Sequence, residues 1–85
     1  INNMWPFSKK EEEPVDNPFV ETFPMGTKLN YMGIQMIVCG HWEYMYPLGF
    51  YPELICDYVD GDGIIRNVKF NVREINTLKK ENNIQ

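Results

Sequence analysis

Residues 53–71, ELICDYVDGDGIIRNVKFN, constrain the fold of this chain more than any other stretch. Leu54, Cys56 and Tyr58 alternate along the first part, and Val68 and Phe70 along the second. A period of two puts such side chains on one face of a sheet. Between the two runs stands Asp60-Gly61-Asp62-Gly63, and glycine supplies the positive φ that tight hairpins require. The stretch therefore predicts two antiparallel strands joined by a short turn. A lone two-stranded ribbon cannot bury its apolar face, so the remainder of the chain must supply the opposite wall.

Upstream, Leu29 and Tyr31 alternate, Gly33 permits a tight reversal, and Met36 and Val38 point inward along a second strand. The same alternation puts Gln35, Ile37, Cys39 and His41 on the other face, and Gly40 fits a bulge or bend. Residues 42–52, WEYMYPLGFYP, read as a long hairpin excursion, with Tyr46-Pro47-Leu48-Gly49 suited to a type I turn. Downstream, Asn71 and Glu74 have the spacing of a capping box, which predicts one 3₁₀ or helical turn at 72–75. A closing strand at 76–79 follows, although the spacing of Ile75 and Leu78 also admits a helix. The expected fold is all-β: a small five-stranded SH3-like barrel over residues 25–80, with a 3₁₀ turn before the last strand. An N-terminal arm covers 1–24 and a frayed tail 81–85.

The arm is set apart by KKEEEPVD and by three prolines after Phe7, with no sustained periodicity. It reads as disordered, or as a docking arm in which Trp5, Phe7, Phe19 and Phe23 settle on the barrel, on a second copy or on a partner. Self-association through the arm is one expectation.

The ordered residues in the barrel suggest a resemblance. Gly26-Thr27-Lys28-Leu29, then Met36-Ile37-Val38, then Leu54–Gly61 with its Cys56, then Val68-Lys69-Phe70 and Ile75 or Leu78, follow one another over 26–78. This run resembles the YodC-like family of short bacterial proteins, which implies an SH3-like barrel and leaves the activity open. The chain departs from that pattern in lacking its Ser-Gly-Gly-Pro turn and in carrying the longer 42–52 insertion. Small size and an aromatic loop would also suit a phage or mobile-element accessory protein.

Eighty-five residues make one domain. A net charge of −4 disfavours nucleic acid and anionic membranes as partners, since both demand cationic surfaces. Two cysteines set no disulfide framework, and no signal peptide or membrane span is read, so the expected location is cytoplasmic. Cys39, His41 and Cys56 are zinc-type ligands, but alternation puts the two sulfurs on opposite faces, so no metal or other cofactor is expected. Residues 60–63 miss the calcium-loop pattern, with Tyr58 and Lys69 where acids belong. Cys39 and His41, two apart on a strand, would share a face as a nucleophile–base pair, yet no third group orients them, and no enzyme is expected.

The aromatic excursion is the stronger signal. Trp42, Tyr44, Tyr46, Phe50 and Tyr51 exceed what one small core needs, and such residues dominate protein interfaces. They are the candidate contact residues of a small protein-interaction module, an adaptor or an inhibitor of a larger enzyme. The alternative is a nucleic-acid-associated barrel using a basic strip of Arg66, Lys69 and Arg73.

Overall fold

A computed structural model of the protein describes residues 17–46 and 49–85. Helix α1 (Phe19–Thr22) is followed by strands β1 (Lys28–Tyr31), β2 (Ile34–Tyr46), β3 (Gly49–Val59) and β4 (Ile65–Asn71), a 3₁₀ turn (Val72–Glu74) and helix α2 (Ile75–Glu81). The four strands form one antiparallel sheet in the order β1-β2-β3-β4. The fold is thus mostly β, as the alternation predicts.

The hairpin read first from the sequence is present. Leu54 pairs with Phe70, Cys56 with Val68 and Tyr58 with Arg66. Leu54, Cys56 and Phe70 are buried, and Val68 and Tyr58 pack against them. Asp60 organises the turn. Its Oδ1 accepts from the backbone N–H of Asp62 (2.8 Å) and Ile64 (3.0 Å), and its Oδ2 receives Arg66 Nε at 2.6 Å. The Ile64 N–H and the Arg66 guanidinium hold this carboxyl below the ordinary carboxylate range. Gly63 takes the positive φ.

The fifth strand is not there. Residues 75–81 form α2, and among the described residues the sheet does not close into a barrel. The capping box explains how the chain turns out of β4: Asn71 Oδ1 accepts from Arg73 N at 3.0 Å, and Glu74 Oε1 accepts from Asn71 N at 2.9 Å. Once started, the helix needs one buried anchor, and Leu78 is fully buried. Its end is equally specific. Asn83 adopts φ 57°, and the N–H of Ile84 reaches Lys79 O at 2.8 Å, closing the turn as a Schellman motif does. Ile84 packs against the core, so the expected frayed tail is a structured cap.

The sheet is nonetheless strongly curled. Tyr31 on β1 and Phe70 on β4 belong to its two outermost strands, yet their rings meet edge-to-face with centroids 4.8 Å apart. Flat neighbouring strands lie about 4.8 Å apart each, so four of them would hold these residues far beyond ring contact. The helices complete the inner face. Phe19, Phe23 and Leu78 join Leu29, Met36, Val38, Leu54, Cys56 and Phe70 in one core. Phe19 and Phe23, read as arm residues, are therefore part of the domain, docked on its own sheet. Trp5 and Phe7 lie outside the described residues.

The β1–β2 turn carries a local cost. Met32 (φ 52°) and Gly33 (φ 83°) both adopt positive φ between the paired Tyr31 and Ile34. Two-residue turns of this kind favour Asn-Gly, and a left-handed conformation is unfavourable for methionine. Met32 is largely exposed, so no burial offsets it. Met32→Asn is expected to raise stability by about 0.5–1 kcal/mol, read as a higher urea midpoint with an unchanged slope.

Candidate functional site: the outer face of the long hairpin

Strands β2 and β3 run past the core as a long hairpin. Trp42 pairs with Glu53, Glu43 with Pro52, Tyr44 with Tyr51, Met45 with Phe50 and Tyr46 with Gly49. Pro47 and Leu48 of the expected type I turn lie outside the described residues.

A bulge decides which side chains face where. Val38 pairs with Cys56 and Gly40 with Ile55, leaving Cys39 as the extra residue. One unpaired residue moves everything beyond it to the opposite face. His41 consequently stands opposite Leu54 on the inner face, where its Nε2–H donates to the carbonyl of Phe23 at 2.6 Å. The expectation that Cys39 and His41 share a face is therefore wrong. The bulge separates them, and no nucleophile–base pair forms.

Cys39 remains half-buried on the outer face, beside Asp57 and Asn67. Asn67 Nδ2 donates to Asp57 Oδ1 at 2.8 Å, to Cys56 O at 3.3 Å and weakly to Cys39 Sγ at 3.8 Å. Burial, then the negative charge of Asp57, push the Cys39 thiol up, which leaves it protonated and a poor nucleophile. Cys56 faces inward and is pushed up to about 12, mainly by burial. Among the described residues no three His, Cys, Asp or Glu side chains gather as metal ligands.

Beyond the bulge the same parity sorts the aromatic residues. Trp42 and Tyr51 occupy diagonal cross-strand positions on the outer face and are 54% and 42% exposed. Phe50 is half-buried and lies at an inner-face position with Pro52 and Leu54, so it does not join them. Tyr44 and Tyr46 take register positions opposite Tyr51 and Gly49. A Cβ placed on Gly49 would come within 2.6 Å of the Tyr51 hydroxyl, so glycine there lets the Tyr51 ring lie along the hairpin.

The base of the hairpin is held from the inner side by a residue the sequence reading passed over. Asn17 is buried, and its Nδ2 donates to Glu43 Oε1 (2.9 Å) and Trp42 O (3.3 Å) while its Oδ1 accepts from Phe19 N (2.9 Å). This one amide starts α1 and fixes the Trp42–Glu43 backbone. The signal was the dipeptide Asn17-Pro18, a common helix opening.

The candidate basic residues do not form a strip. Arg66 is on the inner-face register and engaged by Asp60, Lys69 is on the outer face, and Arg73 sits in the 3₁₀ turn. At the opposite end of β2 and β3, Ile34, Ile37, Val59 and Ile65 line a groove of about 640 Å³ together with Lys28 and Asp57. No helix among the described residues is long and apolar enough to cross a membrane.

No family model, curated protein or solved structure matches the chain, and the resemblance to the YodC-like family is without support.

Proposed function

We propose that this protein is a small non-enzymatic interaction module that grips another protein with the outer face of its β2–β3 hairpin. One observation carries the reading: Trp42 and Tyr51 are exposed at diagonal positions of that face, while a complete core has formed without them. Tryptophan and tyrosine anchors dominate binding hot spots because they bury a large rigid area and retain a polar tip. Asn17 fixes the backbone beneath Trp42, which lowers the ordering cost on association. An adaptor or an inhibitor of a larger enzyme would use such a surface equally. Both thiols are unbonded, which suits the reducing cytoplasm.

Affinity capture from the native cell, read by mass spectrometry, identifies the partner. Trp42→Ala with Tyr51→Ala is expected to weaken its binding at least about 30-fold, the scale of a lost hot spot. Both side chains are substantially exposed, so folding is retained, as circular dichroism would verify. Unchanged affinity in the double variant would remove the basis for this assignment.

A further inference from the structure

The two edges of the sheet are treated differently. On β1, Asn30 directs its backbone N–H and C=O away from β2, and the side-chain amide of Asn82 meets both: Oδ1 accepts from Asn30 N at 2.7 Å, and Nδ2 donates to Asn30 O at 2.9 Å. Glu81 Oε1 accepts the next N–H, that of Met32, at 3.0 Å. The end of α2 thus occupies the place of a neighbouring strand.

On β4 no such cover exists among the described residues, where β4 pairs with β3 alone. The hydrogen bond from Asp60 N to Ile64 O fixes the parity. Arg66, Val68 and Phe70 bond to β3, while Ile65, Asn67 and Lys69 present their N–H and C=O groups to the open edge. The strand contains no proline, glycine or bulge. Asn67, the middle one of these three edge-facing residues, has turned its amide back over the sheet to Asp57 and Cys56 rather than across the edge.

We propose that this edge pairs with the β4 edge of a second copy of the chain, giving a two-fold dimer with one continuous eight-stranded sheet. The strand is self-complementary for antiparallel pairing. With the axis at Asn67, Ile65 faces Lys69 of the other copy and Arg66 faces Val68, so no like charges meet. About six backbone hydrogen bonds form, two at each of three edge-facing pairs. The covered β1 edge also decides the assembly: pairing of β1 with β4 would propagate as a filament, whereas β4 with β4 closes after two copies.

Sedimentation velocity on the full chain, from roughly 1 µM to 1 mM, is expected to show a reversible monomer–dimer equilibrium. Ile65 is 69% exposed, so Ile65→Lys leaves the fold intact but sets a lysine opposite Lys69 at two symmetric positions. It is expected to raise the dimer dissociation constant about tenfold. Adding Lys69→Glu to that variant is expected to restore it to within about threefold, because opposite charges then face each other. A wild-type chain that stays monomeric throughout the range, including one that takes up another protein's strand instead, overturns the proposal. So does a dimer whose affinity ignores Ile65→Lys, or one that the charge swap fails to restore.

Discussion

Phe19→Ala is expected to cost about 3–5 kcal/mol of folding stability, which approaches the whole of what a domain this small commands. Phe19 is fully buried in the core that β1–β4 share with α1 and α2, and α1 rests on β3. Truncation removes the buried ring and leaves a cavity that a short helix pinned at Asn17 collapses into only partly. Val20→Ala in the same helix is the control. Val20 is about half exposed, so its truncation should shift stability by less than about 0.5 kcal/mol. Urea denaturation of the three proteins reads both effects. If residues 17–24 were a dispensable arm, Phe19→Ala and Val20→Ala would be indistinguishable from each other and from wild type.

That contrast shows where the sequence was legible. The hairpin of β3 and β4 could be read because alternation, turn chemistry and the capping box at Asn71 and Glu74 agree with one another. β2 could be read as far as Val38. Past that point the alternation puts His41 on the wrong face, because an unpaired residue has no marker in the one-dimensional pattern. Gly40 hinted at a bulge, but the extra residue is Cys39, and the consequence for His41 appears only when β2 is set against β3. The C-terminal helix was lost to a different cause. Ile75 and Leu78 fit a helix, but a barrel template demanded a fifth strand, and four strands curled by the Tyr31–Phe70 contact met that demand without one.

The candidate site follows the same logic. Counting aromatic residues located the region but could not sort it. Trp42 and Tyr51 share a face through pairing between strands, whereas Phe50, adjacent in sequence, belongs to the other side. The roles of Asn17, Glu81 and Asn82 were illegible for a simpler reason. Each acts on backbone groups far away in sequence, and nothing in the local composition marks which amide will find which strand.

Raising the pH above 9 is expected to destabilise the protein through Cys56. In the unfolded chain this thiol ionises near its ordinary value of 9.0, while in the folded protein burial pushes it up to about 12. The folded state therefore keeps its proton when the unfolded state releases one. The stabilisation is fully present below pH 9 and declines as pH climbs toward 12, by about 1.4 kcal/mol for each unit. Tyrosines also titrate in this window, so the informative quantity is the difference between wild type and Cys56→Ala. The variant loses core volume at every pH, a constant offset, but its stability should fall less steeply with alkali. Urea denaturation across the range from about pH 8 to pH 11 measures both slopes. Parallel curves would mean that Cys56 is not held protonated by the core. Thiol alkylation supplies an independent reading: Cys39, half-buried on the outer face with its thiol pushed up, should react slowly in the folded protein and faster as the pH rises, and Cys56 only at the rate at which the sheet opens.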